Sequence, residues 1–457
     1  MTDVVSRLQQ VLGPEKVLTS LEDRIAYSYD GTFEQDLPDV VVLPESTRDV
    51  ADVVHIGAEC GVPIIPRGMA SGLAAASVPF GGGIVLSMTR MNRILEIDEA
   101  NRTIRVEAGV VTADLESAVG KKGLFYPPDP SSNKQSTIGG NIACNAGGPR
   151  CLKYGVTGDY VLGLTVVLPD GRVLETGGKA IKNVVGYDLN SFFVGSEGTL
   201  GVITEALLRL TTQPRFIRTA RAEFLALGDA CQAVNAILDA GVVPATLEMM
   251  DETAIACIEE AMELGLPLDV EAILIIETDG SDAESVLRDI EIVARVCREN
   301  GAREVVVADT EAQREQLWRA RRSVSPSLAR KAPSKLGEDI TVPRSAIPEA
   351  VRRIKAISVD HGLPVVIFGH AGDGNLHPNI LFDRRDEDQW RRVEQMVADI
   401  FQVALDVGGT LSGEHGVGTL KKPYLAEAVG PVAMDVMRSI RHALDPQGIM
   451  NPGKIFD

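Results

Sequence analysis

Pro127-Pro128-Asp129-Pro130-Ser131-Ser132-Asn133, followed by Ser136-Thr137-Ile138-Gly139-Gly140-Asn141-Ile142-Ala143-Cys144-Asn145-Ala146-Gly147-Gly148, is the stretch that decides the fold. Side chains this small would leave a core empty. They suit a groove in which backbone and short polar groups touch a long ligand. A second cluster lies upstream, where Pro66-Arg67-Gly68-Met69-Ala70-Ser71-Gly72 follows the apolar pair Ile64-Ile65. Its backbone N–H groups can converge on an anion, with Arg67 adding charge, although a plain tight turn has the same composition. A third cluster, Gly195-Ser196-Glu197-Gly198-Thr199-Leu200-Gly201-Val202-Ile203-Thr204, runs into a strand pattern. No Gly-x-x-x-x-Gly-Lys-Ser/Thr is present, and no Gly-x-Gly-x-x-Gly sits between a strand and a helix, which weighs against P-loop and Rossmann readings.

Around these clusters, β-branched runs at 40–44, 64–66, 84–86, 103–106 and 162–168 alternate with helical patterns at 47–60 and 112–121. This is the pattern of an α+β domain. Residues 3–12 read as an amphipathic helix stopped by Gly13-Pro14. After Thr212 the chain repeats strand and helix units, with helices at 226–240 and 282–300 and strands at 271–277 and 304–308. They predict a second domain, an antiparallel sheet with helices over one face. The segment 323–336, with Pro326 and Pro333, reads as a solvated loop or a lid. A helix at 386–406 delivers the chain to Gly408-Gly409, and the turn-rich tail 444–454 frays unless it docks.

The 457 residues are too many for one ordinary core and suggest two or three domains. Lys+Arg 45 against Asp+Glu 64 gives a net charge of −19, which opposes nucleic acid and anionic membranes as partners. The six cysteines contain no Cys-x-x-Cys pair, so neither an iron–sulfur cluster nor a thiolate zinc site is readable. No secretory signal and no transmembrane run is visible, so a cytoplasmic protein is expected.

Three of the six histidines lie beside carboxylates among glycines, in Gly369-His370-Ala371-Gly372-Asp373-Gly374-Asn375-Leu376-His377 and Ser412-Gly413-Glu414-His415-Gly416-Val417-Gly418. Two imidazoles and a carboxylate, His370, His377 and Glu414, can bind Zn²⁺, Fe²⁺ or Mn²⁺; paired structural histidines are the alternative.

The three glycine clusters, in this order and spacing, resemble the FAD domain of the vanillyl-alcohol oxidase and p-cresol methylhydroxylase flavoprotein family. The histidine motifs, with Asp445-Pro446-Gln447-Gly448-Ile449-Met450-Asn451-Pro452-Gly453-Lys454, resemble its FAD-linked 2-hydroxyacid dehydrogenase branch. The resemblance implies a two-subdomain FAD-binding domain at 36–213 after a helical arm at 1–35. A cap domain with the substrate and metal site follows at 214–410, and 411–457 returns to the FAD domain. It implies that Arg67, Gly68, Met69, Ala70, Ser71 and Gly72 hold the FAD diphosphate. Pro128, Asp129, Ser131, Thr137, Gly139, Gly140, Asn141, Ala143 and Asn145 would line the flavin. Glu197, Gly198, Gly201, Val202 and Ile203 would meet the adenosine end, with Asn451 returning to the cofactor. Met69-Ala70-Ser71 departs from the Ala-Gly-Thr usual in the family. No histidine lies between Arg67 and Pro79, so non-covalent FAD is expected.

The activity implied is oxidation of a small 2-hydroxy acid, D-lactate or glycolate, to the 2-oxo acid. A divalent metal at His370, His377 and Glu414 would chelate the substrate, and Arg321 would bind its carboxylate. His415 would accept the hydroxyl proton while the Cα hydride goes to flavin N5. Enzymes of the branch that take larger diacids carry a lysine just before an Asp-Val/Ile pair, which Gly337-Glu338-Asp339-Ile340 lacks, although Lys335 is near. D-2-hydroxyglutarate is therefore the alternative substrate. A flavin-carrying subunit of an electron-transfer complex is the alternative role. Electrons would pass to an iron–sulfur subunit, an electron-transfer flavoprotein or a quinone, with a homodimer as one assembly open to the chain.

Overall fold

The run Val40–Val42 is buried at every position and lies parallel to Ile84–Ser87, which in turn lies parallel to Ile64–Arg67; the short strand Val17–Leu18 completes this sheet. Helix Thr47–Cys60 connects Val40–Val42 to Ile64–Arg67. Ser46 caps it by accepting from Asp49 N, and Gly61 ends it in the left-handed conformation. A second, antiparallel sheet orders Ile94–Asp98, Thr103–Glu107, Val202–Arg209, Val161–Val167 and Val173–Glu175. Side chains of both sheets meet in one apolar cluster that includes Val42, Leu86, Ile104 and Val166. Helix Thr2–Leu12 adds Val4, Leu8 and Leu12 to the same cluster, so the N-terminal arm is part of this core.

The computed structural model describes residues 1–456. It resolves into two compact units, one of Met1–Gly148, Val156–Gln213 and the chain from Glu414 onward, the other of Pro149–Gly155 and Pro214–Gly413. The tail is docked within the first unit. Ile64 N donates to Ile449 O, Asn451 N to Ile64 O, and the buried Lys454 Nζ to Val78 O.

The second unit is built on an antiparallel sheet in the order Ala302–Val307, Phe216–Phe224, Ala272–Gly280, Thr246–Asp251, Val365–His370, Asn375–Phe382 and Ser334–Gly337, with Ile340–Thr341 pairing Asn375–Phe382 beside it. The expectation that helices cover one face is corrected. Ala272 to Asp279 is buried throughout, and Ile273 and Ile275 pack with Ile258, Ala320, Val324 and Leu328. The alternate residues Leu274 and Ile276 are buried on the opposite side. A strand covered on both faces needs no polar alternation.

The segment 323–336 is corrected as well. It contains helix Val324–Lys331 and strand Ser334–Gly337. Pro326 lies in the helix's first turn, where its missing N–H leaves no intrahelical bond unmade, and Val324 and Leu328 anchor the helix in the core. Among the described residues no helix is long and apolar enough to cross a membrane.

Candidate active site

The glycine clusters of the first unit converge on one groove enclosing roughly 1320 Å³ of atom-free space, counting the part open to solvent. Walled largely by glycine, alanine and serine, it suits an extended ligand that lies close to the backbone. All the cofactor residues expected from sequence line it except Pro128, Asp129, Asn145 and Asn451. Asn145 instead ends helix Ile138–Cys144 in the left-handed conformation, and its Oδ1 accepts from Gly158 N. Asn451 Nδ2 donates to Ala76 O and Glu197 O at 2.9 and 2.7 Å, so it braces two segments of the wall.

The groove is a cradle that larger residues would close. A Cβ on Gly68 would lie 2.3 Å from Thr137 Oγ1, and one on Gly139 would lie 2.7 Å from Ala108 Cβ. The backbone N–H groups of Met69 through Gly72 donate no hydrogen bond among the described residues, and Ala70 takes φ 52°. A run of unused donors at a positive-φ turn suits a phosphate. Arg67 supports this turn from behind: it is buried, its Nη1 donates to Tyr29 O at 2.6 Å, and its guanidinium lies 5.4 Å from the Tyr27 ring centre. The residues present therefore fit FAD. Burial pushes the Cys144 thiol up to about 12, which keeps it protonated and a poor nucleophile.

Glu197 lines this groove with φ 50°. Its buried carboxylate accepts from Val417 N at 2.6 Å and Gly418 N at 2.8 Å. Burial pushes its carboxyl up to about 7, against the pull of those two donors. Glu414 and His415 also line the groove, with His415 Nε2 3.9 Å from Glu414 Oε1.

In the second unit the sheet register assembles a polar row. Glu248 lies directly opposite His370, and His377 lies opposite Phe368. Residues paired across strands share a face, as do residues two apart along a strand, so all four side chains project to one side. His370 Nδ1–H donates to Glu248 Oε1 at 2.6 Å, and Arg321 Nε–H to Glu248 Oε2 at 2.6 Å. Burial alone would raise the Glu248 carboxyl, but His370 and Arg321 hold it below the usual carboxylate range.

The Nε2 atoms of His370 and His377 are 3.4 Å apart, a separation open to two nitrogens sharing one ion at bond lengths of about 2.1 Å. Arg321 projects from helix Glu311–Arg322 with its guanidinium 4.9 Å from the Phe368 ring centre. Trp318 Nε1–H, donating to Glu277 Oε2 at 2.8 Å, helps fix that helix.

Sequence reading missed two residues here. Glu248 was signalled by a carboxylate within the otherwise apolar Leu247-Glu248-Met249-Met250. Asp339 is fully buried and accepts from Asn375 Nδ2, Ser412 Oγ and Gly413 N at 2.6, 2.7 and 3.0 Å. It fixes the chain one residue before Glu414.

A glycine-rich groove on one α+β unit and an imidazole–carboxylate row on an antiparallel-sheet unit are the parts of an FAD-linked oxidoreductase. The chain belongs to the FAD-linked oxidase family: residues 38–177 match the FAD binding domain, and residues 213–455 match the C-terminal domain of FAD linked oxidases. It is 47% identical to glycolate oxidase subunit GlcD of Bacillus subtilis over 99% of this chain and 97% of that protein. It is 35% identical to D-lactate dehydrogenase of Anaerostipes hadrus over 99% and 97%. The substrate-bound crystal structure of p-cresol methylhydroxylase superposes with a TM-score of 0.83 at 18% identity, covering 100% of this chain and 97% of that one, which shows a shared fold.

Proposed function

We propose that this chain oxidises a small 2-hydroxy acid, D-lactate or glycolate, to the 2-oxo acid. The observation that carries the reading is the row Arg321, Glu248, His370 and His377 on one sheet face. Glu248 fixes the tautomer of His370 by accepting a hydrogen bond from its Nδ1–H, which leaves Nε2, the nitrogen facing His377, unprotonated. Glu414 would join these imidazoles as a ligand for Zn, Fe or Mn. Bound metal would lower the pKa of a substrate hydroxyl. Arg321, with Nε held by Glu248, offers its terminal nitrogens to the substrate carboxylate in a preset plane.

His415 takes the hydroxyl proton. Bound FAD, held without a covalent bond, supplies the hydride acceptor. The names of the relatives, a glycolate oxidase subunit and a D-lactate dehydrogenase, support the substrate class. Lys335 pairs with Leu381, four residues along the strand from His377, or about 13 Å, and its ammonium is engaged by Ser325. That placement favours a monocarboxylate over 2-hydroxyglutarate. Electrons then pass to a separate acceptor in the cytoplasm, an iron–sulfur subunit, an electron-transfer flavoprotein or a quinone.

Anaerobic mixing of the yellow holoenzyme with D-lactate, L-lactate, glycolate or D-2-hydroxyglutarate tests the reading. Bleaching of the flavin band by D-lactate or glycolate is expected, and acid precipitation should leave a colourless pellet. A flavin band unchanged by all four acids excludes the proposal.

A further inference from the structure

The segment that carries His415 is stapled from two sides within the first unit. On one side Thr419 N donates to Ala74 O at 2.9 Å. Gly418 sits at φ 52° against that same carbonyl, with no room for a Cβ, which would come within 1.8 Å of the oxygen. On the other side the Glu197 carboxylate takes both Val417 N and Gly418 N. A Cβ on Gly416 would meet Glu197 Oε1 at 2.7 Å.

Glu197 is itself held. Its backbone is in the left-handed region, its carbonyl accepts from Asn451 Nδ2, and its N–H donates to Ala143 O. A fully buried carboxylate is costly unless its partners are fixed in place, and here those partners are the backbone donors two and three residues beyond His415. Glu197 therefore lines the cofactor groove while its carboxylate grips the His415 segment.

We propose that Glu197 is a positioning residue for His415, linking the wall of the FAD groove to the placement of the base. The inference rests on the reading of His415 as the proton acceptor. Two backbone hydrogen bonds to a carboxylate fix both the distance and the direction of the peptide planes that follow the imidazole. The neutral amide of a glutamine has one acceptor oxygen and brings an NH₂ toward the second backbone donor. The segment can then shift without any change in the residues that touch substrate.

The test uses FAD-loaded holoenzyme, with turnover expressed per bound flavin. Glu197→Gln is expected to keep FAD and to lower kcat at least tenfold with KM changed less than threefold; Glu197→Asp should recover part of the loss. Gly418→Ala, which displaces the same segment from the Ala74 side, should give the same kcat-weighted loss. In a double-mutant cycle, Glu197→Gln with His415→Asn should be no slower than His415→Asn alone, because the clamp acts only through the imidazole.

Full turnover per flavin in Glu197→Gln, whatever Gly418→Ala does, overturns the proposal. So does additivity of the Glu197 and His415 effects, or a loss of activity that follows FAD content alone, as a purely structural role requires. Full turnover of His415→Asn sinks the base assignment and the clamp together. A dead His415→Asn beside a fully active Glu197→Gln sinks only the clamp.

Discussion

Glu248 shows how one side chain can organise several others. It is inaccessible to solvent and flanked by two cationic or proton-donating partners, so its charge is answered by His370 on one oxygen and Arg321 on the other. Glu248→Gln can still accept one hydrogen bond but presents an NH₂ to one of the two donors. Loss of such an outer partner commonly weakens metal binding by about 10–100-fold. The expected result is a drop of that size in Zn²⁺ or Mn²⁺ affinity by titration calorimetry, with flavin content unchanged; equal affinity would remove Glu248 from the site. Glu197 makes a second prediction at this scale. Burial raises its folded carboxyl to about 7, so the ionised form that accepts both backbone donors prevails above that pH, whereas an unfolded glutamate ionises near pH ~4.3. The folded chain binds more protons across that interval, so this group's contribution to stability declines as pH rises through it. The melting temperature of Glu197→Gln relative to the parent should therefore be more favourable at pH 8 than at pH 5. A difference that does not change with pH would mean the carboxyl is not raised.

Elements bring these residues together, and here the limits of sequence reading become specific. Helix Thr47–Cys60 was legible because Ser46 and Gly61 punctuate it. The groove was legible because its glycines and short polar residues have no use in a core. Helix Val324–Lys331 was not, since Pro326 looks like a breaker until its place in the first turn is known. The partnership of Glu248 with His370 was invisible because it depends on register between strands 122 residues apart. The loop Thr410–Gly413 illustrates the same point. It bridges to Thr341 by backbone pairing and is tied by Ser412 and Gly413 to Asp339. The Asp339 carboxylate accepts three donors, and the amide of Asp339→Asn has one acceptor oxygen, so at least one donor is left unmet at a cost of about 1–3 kcal/mol. Asp339→Asn is expected to melt lower by that measure and to retain FAD while holding less of the divalent metal proposed above. Elemental analysis beside the flavin absorbance checks this; full metal content would show that the loop is held without Asp339.

For the whole molecule, the two units divide the chemistry, and the division has a thermodynamic consequence. Every residue lining the cofactor groove belongs to the first unit, so FAD stabilises that unit through its own binding free energy. Beyond saturation, each tenfold increase in free FAD adds about 1.4 kcal/mol to whatever unfolds with the groove. The second unit has its own core, in which Ile275 is almost fully buried among Met250, Ile258 and Val324. Ile275→Ala removes enough packing, about 2–5 kcal/mol, to mark the transition of that unit in a calorimetric scan. Scans of stripped protein with increasing FAD should move one transition upward and leave the one marked by Ile275→Ala nearly in place. If FAD raises both transitions equally, or the stripped protein melts in a single transition shifted by either perturbation, the units unfold as one cooperative body and the energetic division drawn here is wrong.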